Sequence, residues 1–199
     1  QSDLVIGLPA AGQSDMGMKE LVGHCVSLLP LRTILDHDES FSEHLKKRRS
    51  AVLDAYDHQR FTLGTLLQDL DVPREPGRVP LAPVVFNIDM NMDDGVAFEG
   101  LRHVYSSDPR FFEHFELALN CAGKDDHLVL EWGYNTDLFD ATTIRAWMDE
   151  LVVLVQRICA DPSITLGQAI GDTEDGSAAI PVPKEWSGSL VPLAPEVSI

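Results

Sequence analysis

The chain has 199 residues, of which 44% are hydrophobic, and its 15 basic and 32 acidic side chains give a formal net charge of −17. This composition suits one globular domain with a sizeable core, and the negative charge argues against nucleic acid as a partner because phosphate binding needs clustered cations. Cys25, Cys121 and Cys159 lie far apart without a CxxC pair, which favours a reducing, cytoplasmic setting and argues against a disulfide framework or a metal site.

The first part of the chain is predicted to form two strands. "DLVIGLP" starts at Asp3 and is a short apolar run closed by Gly and Pro. It is not preceded by Met and lacks the basic start of a signal peptide, which suggests that the chain begins within a structure. Residues 25–34 are predicted to form a buried strand, with Pro30 at a sheet edge or bulge because proline cannot donate to a ladder. No apolar stretch is long enough to span a membrane.

Two helices are predicted next. Ser40 and Glu43 have the spacing of a capping box, in which each side chain bonds the other residue's backbone amide. The apolar residues that follow recur at helical spacing and place "KKRR" on the opposite, wet face: Phe41, Leu45, Val52 and Tyr56. Residues 62–70 are predicted to form a second, shorter helix.

Beyond these helices the apolar period becomes that of strands. Four strands are predicted at "PVVFNIDM", "LRHVYSS", "HFELALNCAG" and "HLVLEWGYN". Asp140 is predicted to cap a long helix with one apolar stripe: Ile144, Met148, Leu151, Val155 and Ile158. From about Gly171 the composition shifts to Gly, Ser, Ala and Pro, which predicts a domain over residues 1–171 and a linker over 172–199. The order of elements predicts an α/β (α+β) layered sandwich with a mixed, largely antiparallel sheet.

Several sharp motifs fail on spacing. The stretch "DMNMDDG" resembles a calcium loop, but its glycine falls one position late and Gly100 occupies the twelfth position. An acidic turn, "DHDE", is explained by the helix that follows it, since carboxylates favour a helix N-terminus. The sequence contains no GxSxG, GxGxxG or GxxxxGK[ST], and no histidine has an acidic partner at useful spacing. Spacing alone therefore assembles no catalytic set.

Four segments, in order, resemble the motifs of condensation domains of nonribosomal peptide synthetases. "VGHCVSLLPLR" resembles IGxFVNTLxxR, and "HQRFTLGTLL" resembles (H/N)QDxPFExL. "REPGRVPL" resembles RDxSRNPLF and is followed by "VVFNID", which resembles the VxFNxQ strand. Finally, "HFELALN" and "LVLEWGYNTDLFDATTI" resemble the closing segment of the family, in which "YNTDLFD" recurs almost letter for letter. Departures from the family pattern are Ser27, Arg60 and Thr62, which stand where Asn, Asp and Pro are usual.

The resemblance implies a chloramphenicol-acetyltransferase-like architecture of two lobes with a tunnel between them, of which this chain would be the C-terminal lobe. The family's HHxxxDG signature, which carries its active-site histidine, is absent from the 199 residues. The whole domain would join a donor acyl or peptidyl thioester to an acceptor aminoacyl thioester. Its implied partners are the N-terminal lobe, carrier proteins that bear phosphopantetheine, and adjacent synthetase domains, with no cofactor bound directly.

The resemblance also implies roles for individual residues. Arg74 and Arg78 would be buried or half-buried donors to carboxylates or carbonyls, with a solvated loop as the alternative. Ser27 and Asn87 would line the tunnel, although a polar residue on a strand is often structural. The remaining motif positions are expected to be structural: Gly23, Arg32, His58, Gln59, Asn135 and Asp137. Epimerization, heterocyclization, an inactive recruitment domain and a carrier-docking module without chemistry remain alternatives.

Overall fold

A computed structural model of the protein describes residues 3–12, 17, 20–70, 72, 76–90, 97–103, 111–124 and 127–171. Five strands form one sheet in the order β2-β1-β3-β4-β5. The strands are β1 (Asp3–Ala11), β2 (Val26–Ile34), β3 (Val84–Met90), β4 (Leu117–Lys124) and β5 (His127–Tyr134). The helices are α1 (Phe41–Asp57), α2 (Leu63–Asp69), α3 (Ala141–Ala160) and α4 (Leu166–Ile170). The sheet with helices packed on it confirms the predicted layered α/β class.

The sheet is mixed, but less antiparallel than predicted. The pairs β1/β2 and β4/β5 are antiparallel, whereas β1/β3 and β3/β4 are parallel. The parallel pairs follow from the long connections that precede β3 and β4, because a parallel neighbour requires a crossover of a dozen or more residues. Pro30 lies on β2 and pairs with Gly7 of β1. Since β2 is an edge strand of the described sheet, the predicted edge position of Pro30 is confirmed.

One predicted strand is not supported where the structure describes it. Within "LRHVYSS", residues 101–103 lie outside any strand, and 104–107 fall outside the described residues. The strand predicted at "HFELALNCAG" begins later than its sequence pattern, at Leu117. The residues immediately before it, 114–116, form a bend, because the backbone there bonds to neighbouring loops instead of to a ladder. The predicted linker, residues 172–199, also lies outside the described residues.

Helix α1 begins at the predicted capping box, but its inward face differs from the prediction. Ser40 Oγ accepts from Glu43 N at 3.3 Å, and Glu43 Oε2 accepts from Ser40 N at 3.3 Å. Leu45 and Tyr56, predicted to face inward, are 54% and 38% exposed. Arg48, predicted to lie on the wet face, turns inward, where its Nη1 donates to Thr33 Oγ1 at 2.8 Å. The inward side of α1 therefore includes a polar contact with β2.

Helix α3 also turns from its predicted stripe. Ile144 is buried with 3% exposure, as predicted, whereas Met148 and Val155 are exposed. Trp147, which was not part of the predicted stripe, is half-buried and packs edge-on against Phe139, with ring centroids 5.3 Å apart. Asp140 occupies the N-cap position, but its side chain makes no capping hydrogen bond. Among the helices of the described part of the chain, none is both long and apolar enough to cross a membrane.

Candidate functional site

A row of polar side chains crosses three neighbouring strands of the sheet. The register places Asn87 of β3 beside Asn120 of β4, and Asn120 beside Glu131 of β5. Asn87 Nδ2 donates to Asn120 Oδ1 at 3.0 Å and to Asp89 Oδ2 at 2.8 Å. Asn120 Nδ2 donates to Glu131 Oε2 at 3.0 Å. We call these four residues, Asp89, Asn87, Asn120 and Glu131, the polar row.

The polar row lies on the face of the sheet opposite α1. Helix α1 reaches the sheet through Arg48, which bonds the side chain of Thr33. Side chains alternate between faces along a strand, and paired residues share a face. Thr33 pairs with Leu4 of β1, so Leu4 lies on the α1 face. Gly7 is three residues beyond Leu4 and therefore lies on the opposite face. Gly7 pairs with Val85 of β3, which places Val85 on that opposite face as well. Asn87, two residues beyond Val85, therefore also faces away from α1.

The α1 face of the same strands is apolar. Phe86, Leu119 and Trp132 lie side by side there, each next in sequence to a member of the polar row. On the polar side the row is half-buried, and its neighbours Ala118 and Ala122 on β4 are small. A Cβ added at Gly133 would lie 2.7 Å from Glu113 Oε2, so Glu113 covers the sheet beside the row.

The loop that leads into β3 is fastened to this side of the sheet by a half-buried ion pair. Arg78 Nε donates to Glu116 Oε1 at 2.5 Å, and the Glu116 side chain is only 9% exposed. The Glu116 backbone binds both neighbouring segments, since its N–H donates to Pro83 O and its carbonyl accepts from Asn135 N. Leu81, in the same loop, has a left-handed φ of 68°, which a non-glycine residue adopts only under constraint. The predicted pairing of Arg78 with a carboxylate is present, and Arg74 lies outside the described residues.

A second charged cluster lies at the start of α1. Glu39 is 8% exposed, with Lys47 Nζ 2.6 Å from its Oε1 and His44 Nδ1 3.3 Å from its Oε2. The contact with Lys47, followed by that with His44, holds the pKa of the Glu39 carboxyl below its ordinary value despite burial. This cluster sits where Phe41 N donates to Ile164 O and Gly167 N to His37 O. It therefore joins α1 to the turn between α3 and α4, and among described residues no group of three or more ligands fit for a metal ion is found.

Comparison with known proteins matches the profile of the Condensation domain family to residues 1–175. The chain belongs to the condensation domain family. Surfactin synthase subunit 2 of Bacillus subtilis is 28% identical over 166 residues, which cover 83% of this chain and 5% of the synthase. Tyrocidine synthase 2 of Brevibacillus parabrevis is 27% identical over 164 residues, which cover 81% of this chain and 5% of the synthase.

A solved condensation domain has the same fold. The condensation domain from Monacolin K polyketide synthase MokA superposes with a TM-score of 0.69 at 20% identity, and the match covers 83% of this chain and 39% of that one. This chain thus spans a small part of the synthases it matches and well under half of a solved condensation domain. The resemblance drawn from the four motifs is confirmed at the level of family and fold.

The structure separates the two residues that the resemblance placed along the tunnel. Ser27 pairs with Ala10 on the face of Leu29 and Thr33, which is the α1 face. Asn87 lies on the opposite face, in the polar row. Ser27 pairs with the end of β1, and β1 runs parallel to β3, so Ser27 and Asn87 lie towards the same end of the sheet. Their side chains nevertheless lie on opposite faces.

The other motif residues of this condensation-domain chain occupy turns and surface contacts. Asn135 Oδ1 accepts from Asp137 N at 2.9 Å, in the turn between β5 and α3. His58 is the C-cap of α1, and its Nδ1 lies 2.7 Å from Asp54 O. Gln59 follows in the same turn, with its N–H bonded to Tyr56 O. Arg32 forms an exposed pair with Asp3, and the hydrogen bond lowers the pKa of the Asp3 carboxyl. Gly23 is exposed before β2.

Sequence reasoning missed Asn120 and Glu131. Both lie in the closing segment that resembles the family, but no role was assigned to either, and they stand 11 residues apart in the chain. The available signal was a polar residue on the alternate face of each strand, with Asn120 between two alanines in "ALNCA" and Glu131 within "LVLEW". That pattern shows that one face is polar, but only the register shows that the two residues are neighbours of Asn87.

Proposed function

We propose that this chain is the C-terminal lobe of a nonribosomal peptide synthetase condensation domain and supplies the surface that holds the aminoacyl acceptor. Residues 1–171 form the lobe, and 172–199 lead towards a following domain. The observation that carries the proposal is the polar row, a set of hydrogen-bonding side chains on the face that α1 leaves free. The match of residues 1–175 to the family supports it.

The proposal places the active-site histidine outside this chain. The family's HHxxxDG signature does not occur in the 199 residues. The chain corresponds to 39% of the condensation domain of MokA, so most of such a domain has no counterpart here. We therefore expect the lobe to contribute surface and positioning, with the N-terminal lobe contributing the histidine.

The chemistry proposed for the whole domain is transfer of an acyl group to an amine. The acceptor nitrogen attacks the carbonyl carbon of the donor thioester, a C–N bond forms and the C–S bond breaks. The proton lost from the amine ends on the thiol of the released phosphopantetheine arm. When the domain holds both phosphopantetheine arms in reacting geometry, a reaction between two separate carrier proteins becomes a step within one complex. This positioning can supply a large part of the rate enhancement.

Partners follow from the same proposal. Carrier proteins deliver both substrates, the N-terminal lobe closes the tunnel, and adjacent synthetase domains share the polypeptide or dock to it. Asn87 is the residue proposed to meet substrate. Ser27 faces α1 and is not part of this surface.

An amide-forming assay with loaded donor and acceptor carrier proteins tests the proposal. We expect no turnover by the 199 residues alone and turnover once they are joined to a family N-terminal lobe that contains HHxxxDG. Turnover by the chain alone at the rate of the joined protein would contradict the assignment of the active-site histidine to the N-terminal lobe. No turnover by a joined protein that binds both carriers would instead favour a docking module without chemistry.

A further inference from the structure

The polar row has hydrogen-bond acceptors at both ends. Asp89 and Glu131 are carboxylates, which only accept hydrogen bonds when ionised. Between them lie two side-chain amides, Asn87 and Asn120, each of which can present either an oxygen or an NH2 group by rotating half a turn. The carboxylates decide between these two orientations.

The orientation is forced from Glu131 inward. Asn120 must turn its Nδ2 to Glu131 Oε2, at 3.0 Å, because the reverse orientation would set two acceptor oxygens against each other. Asn120 Oδ1 then points to Asn87, so Asn87 must donate a hydrogen bond to it through Nδ2, also at 3.0 Å. Asp89 requires the same group from the other side, at 2.8 Å. All three bonds are satisfied only when both amides take these orientations.

The consequence is a fixed acceptor atom on the sheet surface. Both N–H bonds of Asn87 are used within the row, so Oδ1 is the only polar atom of its side chain left to bind anything else. Among the described residues, none donates a hydrogen bond to it. Ala118 and Ala122 flank Asn120 on this face, and Asn87 itself is half-buried.

We infer that Glu131, acting through Asn120, and Asp89, acting directly, are positioning residues that hold Asn87 Oδ1 towards an N–H group of the acceptor amine. This inference rests on the proposed function and names the group that its surface binds. An amide oxygen suits a nucleophilic amine because it accepts one N–H hydrogen bond without removing the proton. The nitrogen lone pair stays free to attack the thioester. The amide groups of the phosphopantetheine arm also carry N–H donors, so the experiment must separate the two sources.

The first test measures the orientation directly on the 199-residue chain. Asp89 also fixes the Asn87 amide, so the test uses the double variant Asp89→Asn/Glu131→Gln. Each new amide can either accept or donate a hydrogen bond, which removes the forced orientation while keeping size and shape. We expect the side-chain NH2 signals of Asn87 and Asn120 in ¹⁵N spectra to be single and slow to exchange in the wild type. In the double variant they should be doubled or exchange faster. Glu150→Gln, an exposed substitution on α3, is the control and should change neither residue. Unchanged Asn87 signals in the double variant would overturn the inference.

The second test measures substrate specificity on the chain joined to its N-terminal lobe. We expect the double variant to raise KM for the aminoacyl acceptor about twofold, because only about half of its molecules then present the Asn87 oxygen. KM for the donor and kcat at saturating acceptor should be unchanged. Inhibition by free pantetheine should also be unchanged, whereas an equal loss of pantetheine affinity would overturn the assignment to the amine. A merely structural role would lower the active fraction, which reduces apparent kcat and leaves KM for the acceptor unchanged. Absence of turnover in the wild type contradicts the proposed function, and the NH2 signals still decide whether Asp89 and Glu131 orient Asn87.

Discussion

Replacing Arg78 by alanine tests whether the loop before β3 is held by a half-buried ion pair. Arg78 and Glu116 are 36% and 9% exposed, with Nε and Oε1 2.5 Å apart. Removing one partner of a buried pair costs about 3–5 kcal/mol, because the remaining charge is left uncompensated. Water partly reaches the Arg78 side of the pair, so we expect Arg78→Ala to destabilise the chain by about 2–4 kcal/mol.

Urea unfolding provides the measurement. With a slope of about 2 kcal/mol/M, the expected loss lowers the midpoint by about 1–2 M. Arg32→Ala is the matched control, since Arg32 also pairs with a carboxylate, at 2.7 Å, but both side chains are largely in water. Exposed pairs contribute little, so its midpoint should shift far less. Adding Glu116→Gln to Arg78→Ala should restore part of the loss by removing the uncompensated charge. Equal shifts for the two arginine variants would refute the reasoning.

Three further substitutions test other parts of the fold. Ser40→Ala removes the N-cap of α1 and should cost about 1 kcal/mol in urea unfolding, whereas Ser50→Ala, in the same helix, should be close to neutral. Gly167→Ala places a Cβ 3.2 Å from the backbone oxygen of His37 and should lower Tm, while Gly64→Ala, whose nearest contact is 3.7 Å, should not. The lowered pKa of Glu39 means that its contact with Lys47 stabilises the fold above the ordinary carboxyl range, and this stabilisation is lost as pH falls below that range through the lowered pKa. Glu39→Gln should therefore be less stable than wild type near neutral pH, and the difference should shrink in acid. A constant difference across that range would exclude this source of acid sensitivity.

Local sequence patterns predicted most of the elements because their causes are local. The capping box at Ser40 and Glu43 acts within one helical turn, and it begins α1 as expected. Alternation in "LVLEW" predicted β5, since only a strand places every second side chain on one face. The inward faces of the helices were less predictable. Arg48 turned inward to reach Thr33, a residue 15 positions away, and periodicity within α1 carries no information about that partner.

The candidate site was only partly predictable for the same reason. Asn87 was singled out from a motif, but its partners are set by strand register. Asn120 lies 33 residues further along the chain, and the parallel pairing that brings it beside Asn87 depends on how β3 and β4 meet. Ser27 and Asn87 were both expected to line the tunnel, but a single position along β2 decides which face the Ser27 hydroxyl occupies, and Ser27 falls on the α1 face.

The most direct test of the central claim compares Asn87→Ala with Ser27→Ala in the chain joined to its N-terminal lobe. The claim is that the acceptor binds the face of the polar row, so Asn87→Ala should raise KM for the aminoacyl acceptor about tenfold, the value of one hydrogen bond. Ser27→Ala, on the opposite face, should leave that constant unchanged, and neither variant should alter KM for the donor. A rise in acceptor KM for Ser27→Ala with none for Asn87→Ala would contradict the account, because it would place the acceptor on the face that α1 packs against.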